Sequence, residues 1–210
     1  MTRDLTETRI DGRRVYEGRI VAVEVDRVRL ADGAETLREV VRHPGAVVVV
    51  PLRADGRVLL ERQFRYPVGR VLLELPAGKL EPGEAPESCA RRELAEEIGQ
   101  AAAAWRPLAR FFSAPGFCDE VMHCFLATGL TPVDGAEPDE DERIEVAAMP
   151  LAEAIARVES GEICDAKTVA ALLLADRLIT AAGVRTSDQV HRQTRAEEAE
   201  RQGRDGPNRE

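Results

Sequence analysis

Apolar and polar residues alternate along residues 15–30, most clearly from residue 21 onward. This period of two predicts a half-buried β-strand. The apolar positions shift by one residue near Asp26 and Arg27, which predicts a bulge or a turn there. After a turn signal at residues 31–33, residues 35–41 are predicted to return as a second strand. So small a sheet buries one face poorly, and the pattern therefore favours a partner chain.

A second apolar run, residues 46–50, is continuous rather than alternating, which is typical of a strand buried on both faces. Turn residues follow at 54–56, and residues 58–64 are predicted to return as the other strand of a hairpin. After a short loop, residues 71–75 are predicted to form another strand. Strands therefore dominate the early part of the chain.

The first helix is predicted over residues 86–98, because apolar residues recur there at every fourth position and end at Ile98. Pro86 suits the first helical turn, where its missing N–H group is not needed. Gly99 suits the position just after the last turn, where the backbone is often left-handed. Both boundaries of this helix are therefore predicted from the sequence.

The rest of the chain is predicted to add three strands, two helices and two polar segments. The predicted strands are 105–112, 121–127 and 143–149. The predicted helices are 151–158 and 165–182, with Asp165 as a cap. The polar segments are an acidic loop at 134–142 and a tail at 186–210. The tail has almost no large apolar residues, so we expect it to be disordered or a frayed helix. The pattern predicts an α+β protein, an α/β/α sandwich with a mixed sheet preceded by a small N-terminal antiparallel sheet. The predicted division is into N-terminal strands for dimerisation at 1–42, a main domain at 43–185, and the tail.

Composition and charge narrow the classes of function. The chain has 210 residues and a formal net charge of −9, which argues against a nucleic acid polymer as main partner, since such binders need a basic surface. The four cysteines are scattered without metal-ligand spacing, and the N-terminus lacks an apolar signal segment. No apolar run approaches the roughly 18 residues of a membrane span. We therefore expect a cytoplasmic protein without a membrane partner.

Three carboxylates crowd the predicted helix at residues 86–98. Glu93 and Glu97 are four residues apart and Glu96 lies three residues from Glu93, so all three share one face. Like charges at this spacing cost a helix roughly a few tenths of a kcal/mol per pair. A divalent cation that prefers oxygen ligands is the simplest way to offset this repulsion.

The residues around these carboxylates resemble the signature of the Nudix hydrolase family. The matching residues, with the family's spacing throughout, are Gly78, Glu84, Arg92, Glu93, Leu94, Glu96, Glu97 and Gly99. Gln100 departs from the pattern, because the family has an aliphatic residue there. An amphipathic helix with a solvated acidic face would explain the glutamates, but not Gly78, Arg92 and Gly99 at these spacings. The resemblance implies the Nudix fold.

The resemblance also implies hydrolysis of a diphosphate linkage with Mg²⁺, for which Mn²⁺ is a substitute. The implied metal ligands are Glu93, Glu96, Glu97 and the backbone carbonyl of Ala77. Clustered carboxylates suit this chemistry, because the ion they hold neutralises phosphate oxygens and activates water. Arg92 is interpreted as an ion-pair partner that orients a glutamate. Glu84 is interpreted either as a partner at the helix end or as a functional residue.

Four further segments resemble the ADP-ribose pyrophosphatase subgroup, within a similarity that spans residues 14–182. They are residues 38–46, 63–67, 73–78 and 113–120. The substrate-binding residues implied by this resemblance are Glu39, Arg65, Arg38, Pro115 and Glu120. Arg65 looks like a phosphate or ribose contact and Glu39 like an acceptor for the adenine amino group; the alternatives are a surface ion pair and a solvated strand residue. The family exchanges its N-terminal strands between the subunits of a homodimer, so a homodimer is expected.

The acidic loop at 134–142 supplies further catalytic candidates. Related enzymes use a glutamate of the corresponding loop as general base or as an additional metal ligand, which points to Glu142 first and Glu140 second; a solvated charged loop is the alternative. Glu96 is the third candidate. The implied reaction is hydrolysis of ADP-ribose, a small nucleotide sugar, to AMP and ribose 5-phosphate. The alternatives are a pyrophosphatase for ADP-glucose or GDP-mannose, and a Nudix-fold nucleotide sensor without catalysis.

Overall fold

The computed structural model describes Thr2 and residues 4–133 and 143–181 of the chain. These residues form two β-sheets and three α-helices. The acidic loop with Glu140 and Glu142, and the polar tail from residue 186 onward, lie outside the described residues.

The N-terminal sheet consists of three antiparallel strands, with the second in the middle. They are β1 (Glu7–Glu17), β2 (Ala22–Leu30) and β3 (Glu35–Arg42). The prediction of one strand over residues 15–30 is wrong, because the chain turns between β1 and β2, where the Gly18 amide donates to the Val21 carbonyl (2.9 Å). The hydrophobic pattern does not predict β1, since its residues are mostly charged and almost all exposed.

β2 continues through Asp26 without the predicted bulge or turn. The irregularity lies in β1 instead, where the register shifts between Arg9 and Asp11. Asp26 and Val28 are both buried on one face of the strand. Ion pairs with Arg9 (2.9 Å) and Arg42 (3.4 Å) compensate for the burial of the Asp26 carboxylate. Val23 and Val25 lie on the face of β2 opposite to Asp26 and Val28, so the shift in the sequence pattern marks a change of face and not a break in the strand.

The main sheet has seven strands and is mixed. They are β4 (Ala46–Leu52), β5 (Arg57–Arg65), β6 (Arg70–Glu74), β7 (Ala77–Lys79), β8 (Gln100–Phe112), β9 (Val121–Pro132) and β10 (Ile144–Pro150). Five of them lie in the order β10–β5–β4–β9–β8, while β6 pairs with β5 and β7 pairs with β4. β4 and β9 are parallel, and the other pairs are antiparallel. The predicted hairpin of β4 and β5 is joined by one register pair, Leu52 with Val58.

Helices cover both faces of the main sheet. They are α1 (Pro86–Ile98), α2 (Leu151–Glu159) and α3 (Ala166–Ala181). On one face Val47 of β4 packs in a cluster with Leu94 of α1, and on the other Val48 packs in a cluster with Leu172 of α3. These four side chains are fully buried, as predicted for a strand covered on both sides. The predicted α+β fold, a sandwich preceded by a small sheet, is confirmed.

The ends of α1 and α3 agree with the sequence prediction. Pro86 stands in the first turn of α1, and Gly99 (φ 68°) is left-handed and donates its N–H to the Ala95 carbonyl (3.0 Å). An oxygen of Asp165 accepts from the Thr168 N–H at the start of α3 (3.0 Å), so Asp165 is the predicted cap. None of the helices in the described residues has the length and apolar character needed to cross a membrane.

Candidate active site

A cleft of about 930 Å³ is lined by two of the three glutamates singled out on α1, Glu93 and Glu96. Its walls come from distant parts of the chain: the turn between β1 and β2, the end of β5, β7 with the loop after it, α1, the loop before β9, and the start of α3. The fold therefore brings together side chains that no local sequence pattern joins.

Three glutamates of α1 form the acidic part of this cleft. Glu93 and Glu96 line it, and Glu97 is buried beside them. An oxygen of Glu97 accepts a hydrogen bond from the N–H of Ala77 (2.9 Å). Ala77 also lines the cleft. Ala77 and the three glutamates, predicted as the metal ligands, therefore lie together. We call these three glutamates the acidic cluster.

Gly78 lies directly against the carboxylate of Glu93. A Cβ atom at residue 78 would overlap that carboxylate. Because the carboxylate is the flexible end of its side chain, a larger residue at position 78 would displace Glu93 from its place beside β7. The glycine of the signature is therefore explained by a close approach of the backbone to an acidic side chain.

Arg92 joins the glutamates of the signature. Its guanidinium donates to Glu93 (2.8 Å), to Glu96 (3.0 Å) and to both oxygens of Glu84 (3.1 Å each). The bonds to Glu84 are the largest of the effects that raise the pKa of Arg92 above its ordinary value. Arg92 is therefore the predicted ion-pair partner of the cluster and offsets part of its repulsion.

Glu84 is a structural partner at the start of α1. Besides Arg92, its carboxylate accepts from the backbone N–H of Glu81 (3.0 Å). Hydrogen bonds from Arg92, and then from this N–H group, lower the pKa of Glu84 to about 2. Glu84 therefore stays ionised and holds Arg92, which favours the helix-end interpretation.

The residues present fit a magnesium ion. Among the described residues, no three histidine, cysteine or carboxylate side chains converge closely enough to hold an ion alone. Mg²⁺ does not require such a cage, because it is usually bound by one or two carboxylates, several waters and the phosphates of a substrate. Glu93, Glu96 and Glu97 offer oxygen ligands next to the backbone of Ala77, which is the ligand chemistry that Mg²⁺ prefers.

Arg65 lies in the cleft and is also ion-paired. Its Nε and Nη2 atoms donate to the carboxylate of Glu74 (3.1 and 2.7 Å), which is 1% exposed. Lys167, at the start of α3, donates to the same carboxylate (2.7 Å) and to Asp165 (2.9 Å). The ion pair of one interpretation is therefore present, and Arg65 also lines the cleft. Its contact with a phosphate or ribose stays a prediction. We call Arg65, Glu74, Asp165 and Lys167 the Lys167 cluster.

The loop between β8 and β9 brings only part of its predicted residues to the cleft. Glu120 lines the cleft and lies 3.3 Å from Nδ1 of His43. Pro115 is exposed and does not line it. The loop is fixed to the end of β3, because the N–H of Val41 donates to a loop carbonyl (2.7 Å) and the N–H of Asp119 donates to the Val41 carbonyl (3.2 Å).

Glu39 and Arg38 do not reach this cleft within one chain. Glu39 is exposed on the N-terminal sheet. Within one chain it is therefore a solvated strand residue, which was the alternative to a contact with adenine. Arg38 lies on the opposite face of β3 and forms an ion pair with Glu7 of β1 (2.6 Å). The side chains of neighbouring residues on a strand point to opposite faces, so the two cannot act on one ligand from the same face. Glu140 and Glu142 are outside the described residues.

The structure adds cleft residues that the sequence analysis missed. Arg19 and Ile20 line the cleft from the turn between β1 and β2, a segment that the sequence pattern assigned to a continuous strand. Asp165 and Lys167 line it from the start of α3. The only signal in the sequence was the helix cap at Asp165, which places these residues at a helix N-terminus but not at a ligand site.

Comparison with known proteins decides the family. The family model described as "NUDIX domain" matches residues 41–172 of this chain. The chain belongs to the NUDIX domain family. This Nudix hydrolase carries the signature residues in the cleft and on α1, so the resemblance of the sequence to the family is confirmed.

The relatives of this Nudix hydrolase include several named enzymes. It is 42% identical over 171 residues to "ADP-ribose pyrophosphatase" of Bacillus subtilis (strain 168), which covers 81% of this chain and 92% of that protein. It is 39% identical to "Methanol dehydrogenase activator" of Bacillus methanolicus (79% and 90% covered) and 38% identical to "GDP-mannose pyrophosphatase" of Yersinia enterocolitica (64% and 75% covered). A solved structure, "Crystal structure of ADP compounds hydrolase", superposes with a TM-score of 0.78 at 26% identity, over 88% of this chain and 100% of that chain.

Proposed function

We propose that this Nudix hydrolase cleaves the diphosphate of ADP-ribose to give AMP and ribose 5-phosphate, with Mg²⁺ as cofactor and Mn²⁺ as a substitute. The observation that carries the proposal is that Glu93 and Glu96 of the acidic cluster and the cationic side chain of Arg65 meet in one cleft. A diphosphate is polyanionic, so a site for it needs both a cation held by carboxylates and fixed positive groups. Two relatives at 42% and 39% identity carry the name ADP-ribose pyrophosphatase.

The reaction divides between metal binding, substrate binding and proton transfer. Glu93, Glu96, Glu97 and the Ala77 carbonyl would hold Mg²⁺, which when bound would supply positive charge for the phosphate oxygens and make water more acidic. Water adds to one phosphorus, the bond to the bridging oxygen breaks, and that oxygen leaves with the other phosphate. A general base takes the proton of the attacking water. Glu142 is proposed as this base, with Glu140 as second choice.

Substrate binding is proposed for the other side chains that line the cleft. Arg65 donates to phosphate oxygens, and Glu120 stands beside His43 at the rim, where it can accept a hydrogen bond from the sugar or the base. Glu39 and Arg38 are proposed to act only if the N-terminal sheets of two subunits exchange, because one chain does not bring them to its own cleft. Pro115 belongs to the loop between β8 and β9, so its proposed substrate contact does not depend on that exchange.

A homodimer is part of the proposal. Two large side chains stand exposed on one face of the N-terminal sheet: Tyr16 (58%), opposite the partly buried Val23, and Leu37 (61%), opposite Arg27. Exposed side chains of this size on so thin a sheet favour a cover. Leu37→Asp should shift the mass measured by light scattering from dimer to monomer, and a monomeric unaltered protein would refute the dimer.

A cytoplasmic location is also proposed. The cysteines Cys89, Cys118, Cys124 and Cys164 are all free thiols, which suits a reducing compartment. Fractionation of cells with an antibody against the chain tests this, and recovery outside the cytoplasmic fraction would contradict it.

A panel of substrates tests the proposed reaction. ADP-ribose, ADP-glucose, GDP-mannose, NADH and diadenosine polyphosphates are incubated with Mg²⁺, with Mn²⁺ and with EDTA, and the products are separated by chromatography. We expect ADP-ribose to have the highest kcat/KM and EDTA to abolish turnover. A higher kcat/KM for GDP-mannose would favour the alternative substrate, to which relatives at 38% identity point. No turnover of any compound would favour the nucleotide sensor.

A further inference from the structure

Glu74 is a buried carboxylate that holds two cations. It is 1% exposed at the end of β6, and its Oε2 atom accepts from both Arg65 Nη2 and Lys167 Nζ (2.7 Å each). Removing a carboxylate from water is costly unless charged donors replace the water. Because both cations share one oxygen, the position of either constrains the carboxylate that orients the other.

Lys167 is fixed from its own side as well. Its ammonium donates to Asp165 (2.9 Å), which caps α3. Burial raises the pKa of Asp165, but the charge of Lys167 and the bonds from Thr168 outweigh this, so the pKa is lowered and Asp165 stays ionised. Lys167 therefore connects the capped end of a core helix to Glu74.

Arg65 depends on this connection. It ends β5, next to the short turn of 3-10 helix at Tyr66–Val68, and its side chain is about one third exposed (34%). An arginine in that position has several rotamers of similar energy, and a bidentate carboxylate selects one of them. Glu74 supplies the bidentate contact, and Lys167 supplies the opposing charge that keeps Glu74 in place.

From these contacts we infer that Lys167 is a positioning residue for substrate binding. Acting through Glu74, it holds the Arg65 guanidinium in the orientation that receives a phosphate of the nucleotide sugar. The inference rests on the proposed function, and it adds α3 to the elements that define substrate affinity.

A purely structural role for Lys167, fastening α3 to β6, is the competing explanation. Thr168 provides a matched control for it. The buried Thr168 hydroxyl accepts from the Leu75 N–H (2.9 Å) and donates to Asp165 (2.6 Å). It therefore fastens the same helix end to the residue after β6 without contacting Glu74 or Arg65.

The test compares Lys167→Met, Lys167→Arg and Thr168→Val. We expect Lys167→Met to raise KM about tenfold while kcat stays within about threefold, because a contact present in both ground state and transition state is weakened. Lys167→Arg should restore most of the affinity. Thr168→Val should lower the thermal midpoint and leave KM within about twofold. Equal KM values for Lys167→Met and the unaltered enzyme would overturn the inference.

A double variant separates positioning from direct contact. If Lys167 acts through Arg65, Lys167→Met should have almost no further effect on KM in an Arg65→Met background. A full tenfold increase in that background would overturn positioning and make Lys167 a direct substrate contact.

Binding without turnover keeps the inference distinct from the proposed function. Calorimetry with ADP-ribose in EDTA, and with inorganic pyrophosphate, measures affinity whether or not the chain hydrolyses either compound. If the substrate panel shows no turnover, the proposed function fails, and an unchanged pyrophosphate Kd in Lys167→Met would overturn the positioning role as well. A weakened Kd in Lys167→Met but not in Thr168→Val would support it independently.

Discussion

The acidic cluster and the Lys167 cluster lie in the same cleft but are built in different ways. The acidic cluster comes from one turn of one helix, between Glu93 and Glu97. The Lys167 cluster takes its residues from β5, β6 and the start of α3, across about a hundred positions of sequence (Arg65 to Lys167). The first can be recognised as a motif, whereas the second exists only in the folded chain. The difference indicates that the reaction type can be read locally and substrate affinity cannot.

The largest effect that would test this division is expected from Glu97→Gln in the acidic cluster. The amide removes a charge that is proposed to hold Mg²⁺, so we expect kcat to fall by about 10³-fold or more, equivalent to roughly 4 kcal/mol. Steady-state hydrolysis of ADP-ribose measures this. Glu87→Gln is the matched control, because Glu87 is an exposed glutamate of the same helix, paired with Arg91. Near-normal turnover of Glu97→Gln would contradict the metal assignment.

Glu142→Gln tests whether the acidic loop at 134–142 supplies the general base for the reaction at the acidic cluster. Loss of a general base should lower kcat by about 10²-fold or more and change KM little. The same assay with Glu140→Gln provides the comparison. A larger loss in Glu140→Gln would transfer the proposed role to that residue.

Arg65→Met tests the Lys167 cluster and should change KM more than kcat. We expect KM to rise about tenfold to a hundredfold with a smaller change in kcat, because the guanidinium is proposed to contact phosphate before and during the reaction. Initial rates over a range of ADP-ribose concentrations separate the two constants. A loss confined to kcat would erase the contrast between the two clusters.

The smallest effect is expected from Glu84→Gln. It should lower the free energy of unfolding at pH 7 and leave activity nearly unchanged. The folded-state pKa of Glu84 is about 2, below its ordinary value of 4.5, so its stabilisation is fully present above pH 4.5 and is lost as the pH falls toward 2. Urea unfolding should show a loss of about 1 kcal/mol at pH 7 and a smaller loss at pH 3. An equal loss of unfolding free energy at both pH values would show that the ion pair of Glu84 with Arg92 is not the cause of the stabilisation.

Most of the fold could be predicted because its signals are local. The valines of β4 form a continuous apolar run, and α1 has both a periodic face and recognisable ends. β1 escaped prediction because its backbone pairs with β2 while its side chains, such as the exposed Arg14, are mostly charged. Hydrophobic periodicity does not detect a strand whose side chains are exposed on both faces.

The candidate site divides in the same way. The signature predicted which glutamates meet beside Ala77, since a helix fixes the spacing of its own side chains. It could not predict that Arg19 would reach the cleft from the N-terminal sheet, or that the cap of α3 would bring Lys167 there. Those positions depend on how whole elements pack against each other.

The position of Arg92 among the signature glutamates has a consequence for the order of folding and metal uptake. In a structural zinc domain the ion supplies the folding free energy, and the chain is unfolded without it. Here a guanidinium already lies between Glu84, Glu93 and Glu96, so the repulsion is relieved by the chain itself. We therefore expect the protein to be folded but inactive when a chelator removes magnesium, and we expect magnesium to restore activity without a change of fold.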